Sequence, residues 1–192
     1  RLAALPGADR SLFKAMAAVA LLALLIGVLA GVATALVRGG VLSVPMADGY
    51  RFLTVHGVGI FFYWLFTTQT ALLLALAACE DGHGLAWRPL AWAAFGLMLL
   101  GLGLSMAGSV SGTPLLYNGS PELVRENPRE LLLFNTGYSL LGLGLLLLPL
   151  SAIVTLLRPR WQGQQDKLCA VGFALFAWAF FFNDTATTEI YT

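Results

Sequence analysis

Apolar segments long enough to cross a lipid bilayer recur along this 192-residue chain. A membrane-spanning helix needs about 20 mostly apolar residues to cross the hydrocarbon core. Four segments reach that length and a fifth is shorter; they lie at about Leu12–Val37, Arg51–Ala78, Pro89–Val110, Glu130–Leu157 and Leu168–Phe182. We therefore predict an all-α, polytopic transmembrane helical bundle with about four complete helices and a truncated fifth.

The first apolar segment begins after Arg10 and Lys14, an arrangement that secretory signals share. The apolar core of a signal peptide spans only about 7–15 residues, and the run from Ala15 to Val37 is longer. We interpret it as the first membrane helix. Gly27 and Gly31 lie four residues apart in this helix, a spacing that allows close approach of a second helix.

Composition excludes several other classes of protein. Charged residues make up 11% of the chain, against about 25% in a soluble domain. The net charge of +1 comes with no basic stripe outside the short loops, so we expect no nucleic-acid partner. Cys79 and Cys169 lack the spacing of metal ligands, and we predict two free thiols.

Lysine and arginine in the loops predict the orientation, because cytoplasmic loops carry an excess of both. One side of the predicted bundle holds Arg1, Arg10, Lys14, Arg88, Arg158, Arg160 and Lys167. The other side holds Arg38, Arg51, Arg125 and Arg129. The first side is richer, so we predict a cytoplasmic N-terminus.

The C-terminal decapeptide, Asn183–Thr192, departs from the apolar pattern of the preceding segment. It resembles the translation of a sequencing-adapter oligonucleotide, so we predict that it is not native. The chain then divides into a membrane domain at residues 1–182, truncated inside its fifth helix, and a non-native tail at residues 183–192.

His56 lies inside the second predicted span, where ionisable side chains are costly and are often functional. An imidazole is a standard axial ligand of haem iron. Gly57 and Gly59 leave space beside His56 that a flat macrocycle would need. The alternative is that His56 bonds to a neighbouring helix and that the glycines allow close helix contact. His83, between two glycines, is predicted to be a solvated loop residue.

Polar residues also recur along this span at His56, Tyr63, Thr67 and Thr70. At about 100° per residue, these four side chains are predicted to share one helix face. The face would turn into the bundle, with Tyr63 near a cofactor. Thr67 and Thr70 would line either a cofactor edge or a hydrogen-bonded path, or else form plain interhelical bonds.

The segment Tyr50-Arg-Phe-Leu-Thr-Val-His56-Gly57-Val-Gly59-Ile-Phe-Phe62 resembles the second membrane helix of haem-copper respiratory oxidase (cytochrome c oxidase) subunit I. In that family this helix carries a His-Gly pair near its outer end, and the histidine is an axial ligand of the low-spin haem. The resemblance places His56 and Gly57 on that pair. It covers about residues 10–182 and is strongest to the divergent B-type oxidases.

The resemblance implies the N-terminal part of a terminal oxidase catalytic subunit. The parent would pass electrons through a low-spin haem to a haem-copper centre that reduces oxygen to water with proton translocation. The second haem ligand, the high-spin haem and the copper ligands would lie in later helices, so we expect this fragment alone to be inactive. Implied partners are the lipid bilayer, subunit II with its copper centre, and cytochrome c or quinol as electron donor, in a prokaryotic inner membrane.

Two other functions stay open. Nitric oxide reductases of the same superfamily share this helix architecture and haem ligand. A non-enzymatic membrane protein would use His56 only to pack helices.

Overall fold

The computed structural model describes residues 2–81, 83–111 and 128–157. Over these ranges the chain is helical and contains no strand. After a short 3-10 turn at Leu2–Ala4, the elements are α1 (Gly7–Arg38), α2 (Met46–Gly57), a π-helical segment (Val58–Leu65), α3 (Phe66–Asp81), α4 (Arg88–Ser111) and α5 (Pro128–Leu156). The α2, π-helical and α3 segments follow one another without interruption and form a single long helix.

Four helices are long and apolar enough to cross a membrane: α1, the continuous helix Ala47–Cys79, α4 and α5. This confirms the predicted all-helical class and indicates a multi-pass membrane protein in contact with lipid. The predicted fifth span lies outside the described residues. The cytoplasmic position of the N-terminus stays a prediction.

The second span begins five residues earlier than the apolar pattern predicted, at Met46. Proline fixes a φ value suited to the start of a helix, and Pro45 immediately precedes α2. Inside the first turns, Arg51 Nη1 and Asp48 Oδ1 form an ion pair at 2.7 Å. The opposite charges of Asp48 and Arg51 are therefore paired within the helix, and neither residue has to lie in the preceding loop.

Asp9, near the start of α1, is fully buried and holds the loop between α3 and α4. Its Oδ2 accepts a hydrogen bond from the Leu85 backbone N–H at 3.0 Å, and its carboxylate pairs with the Arg88 guanidinium. Gly84 has a φ of +84° and passes so close to Asp9 that a Cβ atom would collide with the carboxylate. The buried charge is therefore paired and hydrogen bonded, as burial requires.

The same loop is held from the other side by α5. The Ala86 N–H donates to Thr155 Oγ1 at 3.0 Å, and Ser151 Oγ donates to the Trp87 carbonyl at 3.3 Å. We call residues Leu85–Arg88, together with their side-chain partners on α1 and α5, the loop clasp. The clasp brings the start of α1, the start of α4 and the end of α5 to one end of the bundle.

Replacing Asp9 with asparagine should lower the free energy of unfolding by about 2 kcal/mol, because the charge-assisted bonds to Leu85 and Arg88 are weakened. Asp48→Asn is the matched control. Its ion pair with Arg51 is partly open to the surroundings, with side-chain exposures of 36% and 39%, and ion pairs near a surface contribute about 0–1 kcal/mol. Reversible unfolding in mixed micelles measures both variants. Equal losses in the two would contradict a stabilising role of the clasp.

Glycines bring α4 and α5 into close backbone contact. A Cβ atom at Gly137 would lie 2.5 Å from the Ser105 N and 2.6 Å from the Gly101 carbonyl O. A Cβ atom at Gly108 would lie 2.8 Å from the Glu130 carbonyl O. Small residues at a membrane helix interface allow this approach, and they make α4 and α5 the closest-packed pair in the described bundle.

Candidate cofactor site at His56

His56 lies ten positions after Met46, so it is about 15 Å along the helix from its start. It is seven positions, or about 10 Å, from the midpoint of the span Ala47–Cys79. The side chain is half-buried. His56 therefore lies within the apolar part of the span but closer to its N-terminal end, as the sequence indicated.

The His56 ring is fixed by a hydrogen bond to α1. Its Nδ1 lies 2.8 Å from the carbonyl O of Gly27. A carbonyl oxygen only accepts hydrogen bonds, so Nδ1 carries a proton and donates it. In a neutral imidazole this leaves Nε2 without a proton and with a lone pair available to a metal ion. The acceptor could not be identified from sequence, because it belongs to another helix.

Glycines on α1 and on the π-helical segment allow this close approach. A Cβ atom at Gly31 would lie 2.7 Å from His56 Nδ1. A Cβ atom at Gly59 would lie 3.0 Å from the Ala23 carbonyl O and 3.1 Å from the Gly27 Cα. Gly59 therefore supports the crossing of the two helices, which favours the helix-contact explanation for this residue.

Gly57 is buried directly after His56. Its predicted role, to make space for a macrocycle, stays a prediction.

An open groove between α1 and α2 runs past His56, with a volume of about 420 Å³. Its lining residues are Val28, Gly31, Thr34, Ala35, Arg38, Leu53 and His56. Cofactor and ligand sites typically measure about 300–1,000 Å³ and are mainly apolar with a few polar groups. The ionisable groups in this groove are the His56 imidazole and the Arg38 guanidinium, and most of the other lining residues are apolar. The α1 side of the groove was missed in the sequence, where Gly27 and Gly31 indicated only a helix contact.

Tyr63 contacts a different helix from His56. It lies in the π-helical segment, is 1% exposed, and its hydroxyl is hydrogen bonded to Ser105 Oγ on α4 at 3.0 Å. The wider turns of a π-helix, closed by i→i+5 bonds, shift the angular register of the residues that follow. The predicted common face, which assumed 100° per residue, is therefore wrong for His56 and Tyr63. A contact between Tyr63 and a cofactor stays a prediction.

The two threonines of the predicted stripe are both buried. Thr70 Oγ1 donates to the Phe66 carbonyl at 2.7 Å, which is a bond within its own helix. Thr67 Oγ1 has no hydrogen-bond partner among the residues the structure describes. Neither threonine hydroxyl bonds to another helix in that part of the chain.

Among the described residues, the other side chains that could bind a metal ion do not lie close to one another. Within residues 2–81, 83–111 and 128–157, no three His, Cys, Asp or Glu side chains come together to hold a metal ion. Cys79 is a half-buried free thiol, and Cys169 lies outside the described ranges. His83 is exposed in the α3–α4 loop.

Comparison with protein-family models, with curated proteins and with solved structures finds no match to this chain.

Replacing Gly31 with alanine should displace the His56 ring, because the new Cβ would lie 2.7 Å from Nδ1. Overpacking of this kind typically costs about 1–3 kcal/mol in the free energy of unfolding. Gly96→Ala on α4 is the control, since a Cβ there meets nothing within 4 Å. Unfolding in mixed micelles should separate the variants, and a neutral Gly31→Ala would contradict the close contact.

Proposed function

We propose that residues 1–182 are the N-terminal part of the catalytic subunit of a haem-copper terminal oxidase, with His56 as an axial ligand of its low-spin haem. The observation that carries the proposal is the bond from His56 Nδ1 to the Gly27 carbonyl. A metal-bound histidine almost always donates its other ring N–H to a carbonyl, carboxylate or water. The ring is thus held in the tautomer that a metal ligand needs.

The surroundings of His56 fit a haem on two further counts. The groove beside it is mainly apolar and of suitable volume, so its walls can contact a hydrophobic macrocycle. The π-helical segment begins two residues after His56, and π-helical turns are frequent at functional sites. In this proposal His56 ligates the iron through Nε2, Gly27 orients the ring, and Val28 and Leu53 contact the macrocycle. The bound haem would supply one-electron transfer.

The parent protein, in this proposal, reduces oxygen to water and translocates protons across a prokaryotic inner membrane, with the N-terminus in the cytoplasm. Later helices would contribute the second axial ligand, the high-spin haem and the copper centre. Electrons would come from cytochrome c or quinol, and subunit II with its copper centre would be a partner. Residues 1–182 alone hold one predicted haem ligand, so they would be inactive in oxygen reduction.

A second candidate is a membrane helical protein in which His56 only packs α2 against α1. The same His56–Gly27 bond favours it, because interhelical bonds of this type stabilise a membrane bundle by about 0.6 kcal/mol each. The two candidates differ in one measurable property, namely whether the folded chain retains haem.

Haem retention by the detergent-solubilised full chain tests the proposal. Ferric protoporphyrin is added, free haem is removed by gel filtration, and the bound haem is reduced. We expect stoichiometric retention and an iron–histidine stretching band in the resonance Raman spectrum of the five-coordinate ferrous haem. A folded chain that retains no haem would overturn the proposal in favour of the packing protein.

A further inference from the structure

Two buried threonine hydroxyls have no hydrogen-bond partner within the described part of the chain, that of Thr54 on α2 and that of Thr67 on α3. Thr67 is 1% exposed, and its Oγ1 has no hydrogen-bond partner within the described part of the chain. A buried hydroxyl without a partner loses its hydration without compensation, and such groups are rare in folded proteins. The missing partner of Thr67 therefore calls for an explanation.

Three other buried threonines in these helices form a hydrogen bond within their own helix. Each donates to the carbonyl four residues earlier: Thr34 to Ala30 at 2.9 Å, Thr70 to Phe66 at 2.7 Å and Thr155 to Ser151 at 2.7 Å. This is the usual back-bond of a threonine in a helix. Thr54 and Thr67 both lack it.

Thr67 is the second residue of α3, directly after the π-helical segment. The carbonyl four residues before Thr67 belongs to Tyr63, inside the π-helical segment. That carbonyl already accepts a hydrogen bond from the Phe66 backbone N–H. The Thr67 hydroxyl makes no hydrogen bond to this carbonyl.

We propose that the Thr67 hydroxyl binds an internal water molecule at the centre of the bundle. Folded proteins hold about one buried water per 27 residues, and such waters bond to polar groups that lack protein partners. Tyr63, one turn earlier on the same helix, brings a second buried hydroxyl that is bonded to Ser105. In this proposal the water would bond to the Thr67 hydroxyl and to the hydroxyls of the Tyr63–Ser105 pair. This inference does not depend on haem binding at His56.

Hydroxyl-radical footprinting with X-ray pulses tests the inference on the full chain in detergent micelles. The pulses generate radicals from bound water in place, so a residue next to an internal water is labelled although bulk solvent cannot reach it. Phe66 is 4% exposed and Tyr63 is 1% exposed. We expect Tyr63 and Phe66 themselves, resolved residue by residue with tandem mass spectrometry, to be labelled in the wild type, and their labelling to fall several-fold in Thr67→Val.

Thr70→Val is the matched control, because the Thr70 hydroxyl is already bonded to Phe66; its labelling should equal that of the wild type. Thr67→Ser keeps a hydroxyl at this position and should retain the label, which covers the case in which Thr67→Val fails to fold. Absence of label in the wild type, or equal label in Thr67→Val and wild type, would overturn the proposal.

Discussion

Substitution of His56 by alanine should abolish the histidine-ligated haem of the full chain, removing both haem retention and the iron–histidine band. Axial ligation through an imidazole is what would hold the iron on α2, and alanine offers no ligand. The folded state should survive, because the lost bond to Gly27 is a single interhelical hydrogen bond, worth about 0.6 kcal/mol. Gel filtration after haem loading, with resonance Raman spectroscopy of the reduced sample, measures the effect.

His83→Ala is the matched control for this prediction. His83 is the second histidine of the chain and lies exposed in the α3–α4 loop. Its loss should leave haem retention unchanged. An unchanged spectrum in His56→Ala would contradict the ligand assignment and leave the hydrogen bond to Gly27 as a packing interaction.

Replacing Gly137 with alanine should cause a large loss of stability. The new Cβ would lie 2.5 Å from the Ser105 N and 2.6 Å from the Gly101 carbonyl O. Both atoms belong to backbone, so they cannot yield as a side chain can, and α4 and α5 must move apart. Overpacked cores typically lose about 1–3 kcal/mol, and occasionally more. We expect the upper part of that range in reversible unfolding.

Gly103→Ala on α4 is the control for Gly137→Ala. A Cβ at Gly103 meets nothing within 4 Å, and alanine is favoured over glycine in a helix by about 0.5–1 kcal/mol. The control should therefore be neutral or slightly stabilising. Equal effects in the two variants would show that the contact between α4 and α5 is looser than the structure indicates.

The helical spans could be predicted because the length of an apolar run is a local property of sequence. Their ends were less predictable. The second span begins at Met46, where Pro45 and the Asp48–Arg51 pair satisfy the helix start. The first begins at Gly7, directly after Pro6, and Asp9 in its first turn is paired with Arg88. Arg88 lies 79 residues further along the chain, a separation that no sequence window spans.

The candidate site was predicted only in part, for the same reason. His56 was identifiable as an ionisable residue within an apolar run. The contact with Gly27 depends on how α1 crosses α2, and the pattern within either helix does not specify that crossing. The helix face predicted to be shared by His56 and Tyr63 was mistaken, because a π-helical segment changes the angle per residue. The sequence from Val58 to Leu65 has no feature that distinguishes it from an α-helix.

The loop clasp has a consequence for the order in which the membrane domain assembles. The Leu85 N–H is bonded to Asp9, 76 positions earlier in the chain. The Ala86 N–H is bonded to Thr155, 69 positions later. The hairpin of α3 and α4 can dock on α1 as soon as it inserts. The Ala86 N–H and the Trp87 carbonyl, however, gain their hydrogen-bond partners only when α5 is present. Completion of the fourth span therefore fixes the preceding hairpin, because the contacts at this end of the bundle are complete only once α5 is in place.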